Sequence, residues 1–167
     1  TYVMAVAPEK ARTLGLTTVR DLVRAAPRLR LGATGDFLER EGGLPKMKSL
    51  YGTADFAEVH GLDSALRYEA LASGEVDVVD GFATDALLMK TPVVLLKDAD
   101  RIFPPYDAIY VVRGELESQR PEVLDALDLL AGAVSDEDMR RMNRAVDIEG
   151  KNAADVAREF LRARGLV

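Results

Sequence analysis

Short apolar runs alternate with helix-period stretches over the first hundred residues: "YVMAV", "LRLGAT", "FAEVH", "VDVVDGF" and "VVLL" read as strands. Between them, "TTVRDLVRAA", "GDFLEREGG", "LDSALRYEALASG" and "TDALLMK" carry the helical period. Such alternation constrains the chain to an α/β architecture, a mainly parallel sheet flanked by helices, because each strand must return across a helix to pair with the next. Local punctuation agrees. Asp21 stands three positions after Thr18 in capping-box spacing, and Gly74 follows "YEALAS" as a left-handed helix stop. A further strand is expected at "AIYVV", followed by a helical tail. There Val123, Leu127, Leu130 and Val134 fall on one stripe, Ser135 with Asp138 caps a second helix, and Ala153, Val156, Ala157 and Phe160 line a third.

The 167 residues are enough to bury a core, and no apolar run approaches the roughly 20 residues of a membrane span. A net charge of -6 disfavours nucleic acid or an anionic membrane surface as the main partner, since both demand clustered cations. With no cysteine and one histidine, thiol chemistry, zinc-finger sites and His-dependent triads have little or no material. The absence of cysteine fits a cytosolic or an extracytoplasmic bacterial chain equally. Because Tyr2 already lies inside a strand pattern and no leader precedes it, the chain reads as an excerpt of a longer protein.

His60 closes a strand without a second His or a Cys, and reads as a turn or surface residue. Asp77 and Asp80 face opposite sides of their strand, which argues against shared acid-base or metal chemistry. Asp85 follows Thr84 at a helix start, where a carboxylate caps free N–H groups. "GATGDF" lacks the lysine and the full glycine spacing of a phosphate loop. No catalytic residue, metal site or cofactor site is assigned. The aromatic residues say more. Tyr2 opens a strand, Phe82 ends one, and Tyr106 follows Pro104 and Pro105, whose fixed φ makes a stiff non-helical lead. In open α/β sheets ligands bind at carboxyl strand ends, so these rings are cage candidates, although each also suits a half-buried core position.

Four stretches, "FLEREGGLPKMKSLYG", "GLDSALRYEALASGEVDVVDGFATD", "VVLLKDADRIFPPYDAIYVVR" and "LAGAVSDEDMRRMNRAVDIEGKNAADVAREFL", carry a resemblance. Together they resemble substrate-binding proteins of ABC importers for glycine betaine, choline, carnitine and related quaternary amines. The resemblance implies a type II periplasmic-binding-protein-like fold whose two lobes close on the ligand like a hinged shell. Residues 1–108 would be the second lobe, and 109–167 the return strand and the helices that belong to the first. The earlier half-site would then lie outside this chain, leaving tail surface that invites a homodimer. Tyr2, Phe82 and Tyr106 match cage positions, Phe82 where the family usually has tyrosine. Arg40 matches an arginine that meets a betaine carboxylate, with Leu38 in place of a neighbouring aromatic; Thr34, Thr84 and Asp85 are supporting positions. The implied partners are a quaternary amine and a membrane permease, and the implied location is extracytoplasmic, periplasmic or attached to the outer face of the membrane.

Physical chemistry supports that assignment of aromatic residues. A trimethylammonium group has no N–H to donate, and a dedicated dry carboxylate is costly. Ring faces attract such a cation by about 0.5–2 kcal/mol each. Ergothioneine and carnitine carry the same head, so either is an alternative ligand. The same architecture also serves effector-sensing domains of transcription regulators, the reading from a different functional class.

Overall fold

The computed structural model describes residues 1–166, in two compact units, Thr1–Pro105 and Tyr106–Val167. In the first, β1 (Tyr2–Val6) leads to helices α1 (Pro8–Leu14) and α2 (Val19–Ala25) and then β2 (Arg30–Ala33). Helices α3 (Gly35–Glu39) and α4 (Leu44–Tyr51) precede β3 (Glu58–Gly61). Then α5 (Arg67–Ser73), β4 (Val78–Phe82), a single 3₁₀ turn (Ala86–Met89) and β5 (Val94–Leu95) complete the sheet, ordered β3-β2-β4-β1-β5.

The expected parallel pairing holds for β2 with β3 and with β4, each reached through crossover helices. By contrast β1 runs antiparallel to both β4 and β5, so the open sheet is mixed. Its register sets Tyr2 opposite Phe82 and Met4 opposite Asp80. Alternation along β1 sends Tyr2, Met4 and Val6 into a core shared with Leu22, Leu31, Phe37 and Met47, while Ala5 joins Val79, Tyr68 and Leu71 in a second core. Both faces are therefore covered.

Local signals explain most of the helices. The Thr18–Asp21 capping box forms reciprocally, and Gly74 adopts φ 77° at the end of α5. In the first unit two helices escaped the apolar-period reading. Helix α1 is announced by Pro8 at its first turn and Gly15 beyond its end, and α4 by Pro45 and Gly52 in the same places. "TDALLMK" forms only the 3₁₀ turn, which ends three residues before Pro92.

Asp21 is held at about 2, below the usual carboxylate range, chiefly by the Thr18 hydroxyl and then by Thr17. Because the folded pKa is the depressed one, this stabilisation is fully present above the ordinary value of 3.8 and disappears as pH falls through about 2. Thr18→Ala, which removes the cap, is expected to lower stability by about 1 kcal/mol at neutral pH. Urea unfolding from pH 7 to pH 2 should show the gap between wild type and variant closing across that window; a pH-independent gap would detach it from Asp21.

In the second unit the expected strand "AIYVV" is not formed: residues 107–112 have no regular hydrogen-bonded structure. A strand exists only through a partner, and this unit contains none among the described residues. Ile109 and Val111 are accordingly 78% and 91% exposed. Helices α6 (Glu115–Gln119), α7 (Pro121–Asp128), α8 (Asp136–Asp147) and α9 (Ala153–Ala163) follow. Ser135 and Asp138 form the expected capping box, and Asp138 also takes Arg164, tying α8 to the end of α9. Of the predicted stripes, Val123, Leu127, Leu130 and Val134 are half-buried, Val156 is buried, and Ala153 and Ala157 are exposed.

Candidate functional site

The β1–β4 register brings two of the three predicted aromatic residues together. The Tyr2 and Phe82 rings stack with centroids 4.9 Å apart and planes 21° apart. Phe37 meets Tyr2 edge-on at 5.2 Å and Phe103 does so at 5.8 Å. Tyr2 is thus a buried ring, 2% exposed, whereas Phe82 at the strand end is 37% exposed. The outer aromatic surface is Phe82, and Tyr2 backs it.

The Tyr2 hydroxyl donates to Asp36 Oδ2 at 2.6 Å, and Arg40 Nε donates to Asp36 Oδ1 at 3.0 Å. These two contacts, the tyrosine first, hold the Asp36 carboxyl below its ordinary value. Arg40 therefore reaches the aromatic group through Asp36, which sequence reasoning did not single out. Its guanidinium remains half exposed.

Thr34, at the end of β2, caps α3 through the Phe37 N–H and turns its own polar groups toward Asp80. Its N–H donates to Asp80 Oδ1 and its hydroxyl to Oδ2, both at 3.0 Å, and Arg67 Nη1 donates to Oδ2 at 3.2 Å. Burial pushes the Asp80 pKa up, against the pull of Arg67 and Thr34. With every one of these neighbours donating, the arrangement suits the ionised form.

Asp85 corrects the capping expectation. It occupies the cap position of the 3₁₀ turn, yet its side chain makes no cap bond to that turn. Instead Oδ2 accepts from Arg67 Nη2, from the Tyr68 hydroxyl at 2.8 Å and from the Phe82 N–H at 3.0 Å. Helix α5 thereby holds the backbone of Phe82 through Asp85. Gly81 makes room for this, since a Cβ there would collide with the Tyr68 hydroxyl. Burial is the main reason the Tyr68 phenol is raised well above its ordinary value, with Asp85 adding to it. Arg67, Tyr68 and Asp36 were missed from sequence. Arg67 carried a readable signal: with Ala70 and Leu71 it lies on the apolar stripe of α5, where a charge needs a partner.

Of the remaining candidates, Thr84 is half-buried in the turn after β4. Tyr106 opens the second unit and is 42% exposed, beside a diproline whose Pro104 carbonyl accepts from the Thr1 hydroxyl at 2.6 Å. His60 pairs with Glu58 on edge strand β3, and Asp77 binds Arg30 and Lys10, separate from the partners of Asp80. Among the described residues no group of three His, Asp or Glu side chains gathers as metal ligands, and no helix is long and apolar enough to cross a membrane.

Residues 1–163 match the family described as "Substrate binding domain of ABC-type glycine betaine transport system". The chain is 33% identical, over 99% of its length, to part of an ergothioneine transport permease/ergothioneine binding protein of Helicobacter pylori, covering 30% of that protein. It is also 33% identical to a carnitine transport binding protein of Listeria monocytogenes, over 97% of this chain and 53% of the relative. A glycine-betaine-binding protein of Pseudomonas aeruginosa is 32% identical, with 57% of it covered. Among solved structures, a glycine betaine/carnitine/choline ABC transporter protein superposes with a TM-score of 0.85 at 36% identity, covering 99% of this chain and 61% of that one. A lactococcal protein in its closed, glycine betaine-bound form shares the fold, with a TM-score of 0.65 at 16% identity. The chain spans between about a third and three fifths of these relatives' lengths. Its mixed, open α/β sheet is type II periplasmic-binding-protein-like. The chain belongs to the family of substrate-binding domains of ABC-type glycine betaine transport systems.

Proposed function

We propose that this chain contributes to extracytoplasmic capture of a quaternary amine and its delivery to an ABC permease. In this reading residues 1–108 are the second lobe, and residues 109–167 the segment that returns to the first. The observation that carries the proposal is the Phe82 ring. It is stacked on Tyr2 from behind, tied to Asp85 through its N–H, and partly open to solvent at a carboxyl strand end. A ring so presented attracts a methylated cation that no hydrogen bond can recognise. By the family resemblance Tyr106 is a further cage position and Arg40 a partner for a ligand carboxylate, while Thr34, Thr84 and Asp85 are supporting positions. The names of the relatives, which include ergothioneine, carnitine and glycine betaine binding proteins, define the ligand panel.

Calorimetry on the full-length protein with glycine betaine, choline, carnitine and ergothioneine tests this. Phe82→Ala and Tyr106→Ala are each expected to weaken the preferred ligand about tenfold. Arg40→Ala should harm glycine betaine more than choline, which has no carboxylate. Wild-type protein that binds none of the four overturns the proposal, and a Tyr106 variant with undiminished affinity removes that residue from the site.

A further inference from the structure

Next to Phe82 two carboxylates share one guanidinium. Arg67 donates to Asp80 through Nη1 and to Asp85 through Nη2, and its side chain is 3% exposed. Asp80 is wholly buried and Asp85 is 23% exposed. The nearby Asp36–Arg40 pair is neutral by itself. Two ionised carboxylates against one guanidinium leave the triad one unit negative, and Asp85 is the more solvent-facing of the two carboxylates. Arg67 Cζ lies 5.8 Å from the Phe82 ring centroid, and Asp85 touches the Phe82 N–H. Arg67 holds this position although its buried Nε has no acceptor among the described residues. An orphaned N–H is an expense that satisfying a lone guanidinium does not require.

We infer that the Asp80–Arg67–Asp85 triad is the charge-selecting element beside Phe82, favouring a cationic ligand head over a neutral group of the same shape. The inference rests on the proposed amine-binding reading and adds a second source of selectivity to the ring faces. A permanently methylated nitrogen offers nothing to a hydrogen-bond acceptor, but it responds to an undirected field. A net charge next to the ring, on groups that are themselves largely withdrawn from solvent, acts on the ligand head with less screening than one in bulk water. Its placement also avoids the cost of drying a bare carboxylate against the ligand, because Asp85 keeps three donors on Oδ2 throughout.

The test compares choline with 3,3-dimethylbutan-1-ol, its uncharged carbon isostere, by calorimetry on the full-length protein. Asp85→Asn preserves shape and an acceptor oxygen while removing the charge. It is expected to weaken choline about tenfold and the alcohol less than about twofold, so that the preference for the cation collapses. Asp80→Asn should shift the ratio in the same direction, and thermal melts establish which variants are folded. An unchanged ratio in either folded variant overturns the inference while leaving amine binding intact. A wild-type protein that binds both compounds alike also overturns it, whether or not the variants fold. Wild-type protein that binds neither choline nor the four panel ligands overturns this inference together with the reading beneath it.

Discussion

Arg67→Met is expected to lower folding stability by about 3–5 kcal/mol, because it strands Asp80 as a buried, uncompensated charge. The pair is deeply enclosed: the Arg67 and Asp80 side chains are 3% and 0% exposed, the first at the start of α5 and the second within β4. Lysine is expected to rescue little, since one ammonium cannot match the fork that serves Asp80 and Asp85 at once. Combining Arg67→Met with Asp80→Asn should recover part of the loss by removing the stranded charge. Urea unfolding followed by circular dichroism checks this. A loss under about 1 kcal/mol would mean that the pair behaves as a surface ion pair, which its burial excludes.

Phe37→Ala is expected to cost a comparable amount, about 3–5 kcal/mol, for a different reason. Phe37 is wholly buried between Tyr2 and Phe103, with ring centroids 5.2 and 6.0 Å away. Removing it opens a cavity that the neighbours cannot fill. Gly43 packs its backbone against the Phe37 carbonyl, and Thr34 accepts from the Phe37 N–H, so the surrounding chain has little freedom to collapse. The same change takes away the edge contact that orients Tyr2, and with it the backing of Phe82. The expected signature is therefore a large drop in urea midpoint together with weaker amine binding. A folded variant with wild-type stability would show that the aromatic cluster is loosely packed, contrary to its contacts.

The two effects differ in how far they could be anticipated. Phe37 lies in an apolar position after "LRLGAT", where a core residue is expected. The reach of Arg67 to carboxylates 13 and 18 residues further along is invisible to any local period. The same division runs through the candidate site. Tyr2, Phe82 and Tyr106 were selected from strand edges and the diproline, and the stacking of the first two is a consequence of the β1–β4 register. That Tyr2 is buried behind Phe82, that Arg40 connects through Asp36, and that Asp85 serves Phe82 instead of a helix end are outcomes of packing.

Sequence alone determined the alternation of strand and helix, the capping boxes at Thr18 and Ser135, the left-handed stop at Gly74 and the scarcity of thiol and imidazole chemistry. Those features depend on residues within one or two turns of each other, where side-chain period and capping chemistry act directly. Tertiary structure decided that β1 runs antiparallel in a sheet otherwise paired in parallel, and that "AIYVV" stays unpaired in its unit. It also decided that one guanidinium serves two carboxylates beside Phe82. Strand direction and buried charge are settled by partners remote in the chain, because backbone pairing and desolvation have no value until those partners arrive.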